Sequence, residues 1–415
     1  MNRKRAALVL GVLLLIVVGL LAFVLYKYRQ GGDHRGSPTV EYVLTETAPP
    51  PVATAKIVWP TFGYDPEHTH VGPDVPVRPP FRKIWTAGGA TLLEFPPAIG
   101  YGRLYLADGG GRVWAASTKT GARGWTYDAH RCQAASPALD DMQHGTIFEV
   151  FLNRRPCRAK RVGDGEVIAL SVGTGKVRWS RHIGASETSP VVIGNRLYIG
   201  DWLGNVYALD KRSGRIVWKA HTGGAVKGAV TVSANRVYAG SYDGHLYAFS
   251  AGTGRRLWRS GGDPRLLGGG RFYSTPAASY GRVYIGSTDG KVYSFGATSG
   301  RRIWSHSTGG FVYGSPAVWH QLVLVGSYSH KFYAFDAATG DTRWTFKANG
   351  PISGSGTVID GVVYFATLKG RTYALAARTG RPLWSFNDGR YTPIVADKEH
   401  LYLVGYAKLY GFAPR

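Results

Sequence analysis

From residue 81 onward the apolar positions come in short runs, each cut by Gly, Asn or Asp, and the pattern repeats about every 40 residues. One period reads "AVTVSA", "RVYAGS", "HLYAFS" and "RRLWRS". These are four short strands, separated by turns at Asn235 and Asp243-Gly244, residue types that supply the positive φ of tight hairpins. A longer phrase carries the repeat. "GNVYALDKRSGRIVW" (204–218) returns as "GHLYAFSAGTGRRLW" (244–258) and "GKVYSFGATSGRRIW" (290–304). In each, a Gly after Thr or Ser stands four residues before a Trp.

The Gly–Trp pairs are Gly121–Trp125, Gly175–Trp179, Gly214–Trp218, Gly254–Trp258, Gly300–Trp304, Gly340–Trp344 and Gly380–Trp384. Successive tryptophans stand 54, 39, 40, 46, 40 and 40 residues apart, so the two long intervals hold insertions. After Trp384 only three strands remain, "YTPIVAD", "HLYLVGY" and "KLYGFAP". An orphan strand, "FRKIWTA", stands before the first full repeat and carries Trp85. That strand can complete the last sheet. The predicted fold is therefore all-β: an eight-bladed β-propeller of four-stranded antiparallel blades over 81–415, closed by its N-terminal strand. Trp85, Trp125, Trp179, Trp218, Trp258, Trp304, Trp344 and Trp384 are read as wedges between blades, because a large buried aromatic at a fixed place stabilises each junction.

The first residues break this pattern. Residues 6–26 hold no charged side chain; Arg3, Lys4 and Arg5 precede them, and Lys27 and Arg29 follow. About 20 apolar residues suffice to cross a bilayer. The run exceeds the roughly 7–15 residues of a signal-peptide core. The expectation is an uncleaved single-pass anchor within 1–29, with the propeller outside the cytoplasm. Residues 30–80 are rich in Pro, Gly and Thr and read as an extended tether, ending in an aromatic lead-in, "WPTFGYDPEHTH".

Composition adds two points. The 415 residues include 57 Gly and 13% aromatics, as many short strands require, and only 2 Cys. The formal net charge is +24.

The skeleton A-x-x-T-G-x-x-x-W resembles the tryptophan-docking repeat of the pyrroloquinoline-quinone (PQQ)-like propeller superfamily, over roughly 81–415. The lead-in is similar to that of many such proteins. The superfamily contains quinoprotein dehydrogenases, which hold PQQ and calcium in the central channel. It also contains cofactor-free, BamB-like assembly scaffolds. The dehydrogenases carry adjacent cysteines, calcium-binding Glu, Asn and Asp, and a catalytic Asp. No adjacent cysteines occur here, and none of those residues maps onto this sequence. The resemblance is closer to the cofactor-free scaffolds, although the lipid-bearing Cys of BamB-like lipoproteins is replaced by an apolar helix.

Sorting loops by propeller face locates candidate sites. The first face, made of turns between strands one and two and between three and four, is repetitively basic: Arg103, Arg196, Arg236 and Arg282, then Arg215, Arg255, Arg301 and Arg381. Such a ring would attract anionic lipid or envelope polymer. Nucleic acid is disfavoured outside the cytoplasm. The second face bears both insertions, "RRPCRAKR" (154–161) and "GGDPRLLGGG" (261–270), and insertions gathered on one face of a repeat array point to a binding face. A hairpin turn near His144 would bring Cys132 opposite Cys157, and a disulfide fits an extracytoplasmic domain. Around the channel mouth the equivalent positions diverge: Glu94, Glu187, Lys227, Tyr273, Tyr313, Arg390 and Tyr391, with Trp202 nearby. A propeller needs none of these for its fold, so they are candidates to bind a protein or peptide segment. Glu94 and Glu187 raise calcium, but two carboxylates without a ligand loop fall short of its six to eight oxygens.

No P-loop, zinc spacing or nucleophile elbow occurs. The expected function is a membrane-anchored, extracytoplasmic, non-catalytic scaffold or receptor in envelope assembly or sensing, with no metal or cofactor. The alternatives are a quinoprotein oxidoreductase using PQQ and a cation in the channel, and polyanion adhesion through the basic ring.

Overall fold

In a computed structural model the chain is described over residues 3–30, 32–44, 54, 56–88, 91–157, 161–263, 269–391 and 394–415. Eight antiparallel sheets follow one another around an axis. The blade predicted from "AVTVSA…RRLWRS" forms from Thr231–Ser233, Arg236–Gly240, His245–Ser250 and Arg256–Gly261. Ring closure is as expected. Phe81–Gly88 pairs antiparallel with Lys408–Pro414 and becomes the outer strand of blade 8.

Each blade junction rests on the Gly–Trp pair. The Trp of one blade reaches the Gly turn of the next. The indole N–H groups of Trp85, Trp125, Trp218 and Trp304 donate to the carbonyl oxygens of Thr118, Val172, Ala251 and Ala337 at 3.0, 2.8, 2.8 and 3.0 Å. Trp179, Trp258 and Trp344 do the same. The partner glycine has φ of +71° at Gly300 and +78° at Gly340, a region that favours glycine. A Cβ on Gly300 would also stand 2.6 Å from the Trp258 ring. Trp384 departs from the rule: it packs on Phe81 and Phe412 of the closing blade, at 5.3 and 5.5 Å.

The segment expected as a tether is not a free linker where it is described. Over 32–44 it lies on blades 5 and 6. His34 and Ser305 exchange two backbone hydrogen bonds of 2.9 Å, and Arg35 makes a bidentate pair with Asp341. Arg282 is buried beneath it, donating to the carbonyl oxygens of Ser37 and Val40 at 2.7 Å each and of Ala338 at 2.6 Å. That corrects its place in the basic ring: the guanidinium holds this strap and is not offered to a polyanion. Arg215, Arg255, Arg301 and Arg381 are exposed as expected, while Arg103, Arg196 and Arg236 are half-buried.

The lead-in enters the channel. Ile57–Trp59 adds a fifth, innermost strand to blade 1. The chain then passes the first strands of successive blades. Leu139 N–H donates to Pro60, Val232 to Pro66, Ala278 to Glu67, Val318 to Thr69 and Val358 to His70, at 2.7–2.9 Å. The lead-in thus fills the channel as a plug, with its backbone groups shared among the blades that surround it.

The N-terminal run forms the helix Arg3–Gln30. Among the described residues no helix is long and apolar enough to cross a membrane. The single-pass span expected over 6–26 is corrected accordingly.

The junction can be graded by substitution. Trp304→Phe keeps the wedge and loses one hydrogen bond, costing about 0.5–1.5 kcal/mol. Trp304→Ala also opens a cavity and costs about 3–5 kcal/mol. Gly340→Ala forces a Cβ to 2.8 Å from the Trp304 ring at positive φ and falls between them. Denaturant midpoints on the three variants check the order; equal losses would contradict it.

Candidate functional site

The channel mouth on the second face is built by short segments that precede the first strand of each blade. Their hydroxyls link neighbours. The backbone N–H of Ser136 donates to Ser189 Oγ, Ala229 to Thr275 Oγ1, Thr275 to Ser315 Oγ and Ser315 to Ser355 Oγ, at 2.8–3.1 Å. Glycines set the approach: a Cβ on Gly314 would meet the Gly354 carbonyl, and one on Gly354 the Tyr391 carbonyl. The recurring Ser/Thr before these strands was the signal for this ring in the sequence, and the divergence of the positions beside it obscured it.

Most of the candidate mouth residues come together. Glu94, Glu187, Lys227, Tyr273, Tyr313 and Tyr391 line one pocket. Its floor is Phe62, the inner tip of the plug, packed at 4.9 Å against His70 and 6.4 Å from Phe95. Phe62 was not singled out because its place depends on the lead-in threading the channel. Trp202 stands behind Lys227. Arg390 does not line the pocket: its guanidinium stacks on the Tyr406 ring at 4.7 Å.

The pocket is largely filled by its own side chains. Lys227 Nζ lies 2.9 Å from Glu187 Oε1 and 4.0 Å above the Trp202 ring, with Tyr242 at 5.3 Å and Tyr273 at 5.9 Å. A carboxylate and aromatic faces together satisfy the buried ammonium. Burial pushes the Glu187 carboxyl up, and Lys227 offsets only part of that. Glu94 is raised by burial and then by Glu187. Tyr273 is pushed well up by burial and by both carboxylates.

Outside this pair runs an aromatic rim. Tyr242, Tyr273, Tyr313 and Tyr328 follow one another at 6.1, 5.3 and 5.1 Å. Phe311 contacts the last two and is 49% exposed.

Calcium and PQQ fit this mouth poorly. The cavity is about 80 Å³, whereas small-molecule sites run to roughly 300–1,000 Å³. The Glu187 carboxylate there is paired with the Lys227 ammonium, where calcium requires six to eight oxygens. Among the described residues no group of three or more His, Cys, Asp or Glu could hold a metal ion. His68 and His70 are fully buried in the plug, and burial depresses both to about 3, so they are neutral.

Cys132 and Cys157 form a disulfide with Cα atoms 5.5 Å apart. The hairpin register differs slightly from expectation, with Asp140 opposite Thr146 and Arg131 bridging Arg154. The loop after Arg154 carries Cys157 back to its partner. Residues 158–160 of this insertion and 264–268 of the other lie outside the described residues.

Fold and mouth together define a PQQ-type propeller whose channel is plugged by its own chain. A family model matches residues 82–192, 163–311 and 292–405, and the chain belongs to that family, described as outer membrane protein assembly factor BamB. BamB from Moraxella catarrhalis superposes with a TM-score of 0.65 at 19% identity, covering 80% of this chain and 99% of that one. Quinohemoprotein alcohol dehydrogenase from Comamonas testosteroni gives 0.70 at 15% identity, covering 88% and 81%. At these identities the likeness establishes the fold. Among curated relatives, serine/threonine-protein kinase AfsK of Streptomyces griseus is 29% identical over 34% of this chain, and quinoprotein alcohol dehydrogenase PedH of Pseudomonas putida is 26% identical over 30%. The matches span only 18% and 22% of those two proteins.

The plug makes a pH prediction. Burial lifts the Asp65 carboxyl to about 7, against the hydrogen bonds that Thr69 donates to it. The folded protein keeps a proton that the unfolded chain loses, so this group makes folding less favourable as pH rises from about 4 to about 7. Asp65→Asn lacks that proton. Its stability relative to wild type therefore rises with pH through that window, by at most about 1.4 kcal/mol per unit, and then levels. Chemical denaturation of both proteins across the window checks this; a difference independent of pH would contradict it.

Proposed function

We propose that the protein is a non-catalytic scaffold of the cell envelope whose second face binds a protein partner through the aromatic rim of the plugged mouth. One observation carries this reading: the mouth is filled from within by Phe62 and the Lys227–Glu187 pair, while aromatic surface remains available around it. Aromatic anchors surrounded by polar groups are what protein interfaces concentrate their binding energy in. Membership of a family described as an assembly factor supports the same reading.

The location outside the cytoplasm is part of the proposal. The disulfide suits an oxidising compartment.

Photo-crosslinking in intact cells tests the partner. A crosslinker at Phe311 should capture one defined protein, and one at Arg255, on the opposite face, should not. With that protein purified, Tyr313→Ala and Phe311→Ala should each weaken binding by about tenfold or more, the range of an interface hot spot. Equal capture from both faces, or unchanged affinity, would reject the mouth as the site.

A further inference from the structure

A second cavity lies on the first face, away from the aromatic mouth. It measures about 830 Å³ and opens among the inner turns of blades 4 to 7. Its floor is the returning limb of the plug, at Glu67, Thr69 and Val71, and Val43 of the docked strap forms part of one wall. The volume falls within the roughly 300–1,000 Å³ of small-molecule sites.

The lining constrains the occupant. The lining includes three acidic residues, Glu67, Asp74 and Asp360, and three arginines, Arg78, Arg236 and Arg282, the last with its guanidinium already held by the strap carbonyls. The formal charge of this set is zero, so the cavity selects neither a polyanion nor a polycation. Arg78 Nη2 donates to Asp360 Oδ1 at 2.8 Å. Arg236 Nε and Glu67 Oε2 are buried without a hydrogen bond in the protein, although the Glu67 carboxylate is bonded by Ser233, and such atoms are costly unless something satisfies them. Ser279 and Thr298 add hydroxyls, and Trp319 adds an aromatic face.

An extended peptide would seek a free strand edge. The plug has none here. The carbonyls of Glu67, Thr69 and His70 accept from Ala278, Val318 and Val358, and Gly72 N–H donates to Val358. Recognition must therefore run through side chains. Paired acids and guanidiniums that offer donors and acceptors together, beside an aromatic face, match a polyhydroxylated ring with one apolar side.

We propose that this cavity is a binding site for a neutral oligosaccharide of about two to four rings, the size that fills it. Arg236 and Glu67 address its hydroxyls, and Trp319 stacks on one ring. The site does not depend on the partner-binding mouth. Because the strap and the plug both wall it, a bound saccharide would also brace the segment that joins the helix to the propeller.

The test is calorimetric titration of the full chain in a detergent without sugar headgroups. The probes are maltotriose, cellotriose and chitotriose, with trialanine and dextran sulfate as comparisons. At least one trisaccharide should saturate. Trp319→Ala and Glu67→Gln should each weaken it about tenfold or more, with thermal midpoints showing that both variants fold. Tyr313→Ala, on the other face, should leave it unchanged. The proposal is overturned if no trisaccharide binds, if trialanine or dextran sulfate saturates instead, or if Tyr313→Ala alone removes binding.

Discussion

Each blade's tryptophan joins two neighbours by two contacts at once. Its ring lies on a glycine that has no Cβ to obstruct it, and its indole N–H closes on a carbonyl of the same turn. Neither contact is large alone. Repeated around the ring, they fix how far each blade turns from the last, and that angle sets the width of the channel. The closing blade is where the repeat gives out. Trp384 finds Phe81 and Phe412 there, and aromatic packing replaces the glycine turn. The channel width in turn decides what the lead-in can do. The inner strands stand close enough for one segment to hydrogen-bond with several blades in succession.

This explains which features were legible in the sequence. The Gly–Trp spacing is local, so it exposed the blade count, the closing strand and the face on which each turn lies. The mouth positions were legible because a repeat makes divergence visible. The plug and the strap were not. Their partners are largely backbone N–H and C=O groups far along the chain, such as the Val358 N–H for His70 and Ser305 for His34, and backbone groups leave no trace in residue identity. Arg282 makes the point most sharply. It occupies the same repeat position as Arg196 and Arg236, yet it is buried because residues 32–44 happen to cross above it. Arg390 was misplaced for a related reason: the Tyr406 ring captured it.

Function in such a fold resides in what fills and rims the channel, not in the blades. The same architecture is shared with a quinohemoprotein alcohol dehydrogenase. Here the chain's own side chains occupy the space at the mouth. Lys227 neutralises Glu187 where a cation would need oxygen ligands, and Phe62 closes the depth of the pocket from below. What remains is surface: an aromatic arc, the face proposed above for a protein partner.

The most direct measurement is calorimetric titration of the purified full chain with PQQ in excess calcium, followed by dye-linked oxidation of a panel of alcohols. A filled mouth predicts no saturable heat and no dye reduction. Tight, saturable binding with turnover would contradict the account, and would mean that Lys227 and Phe62 yield their places to a quinone.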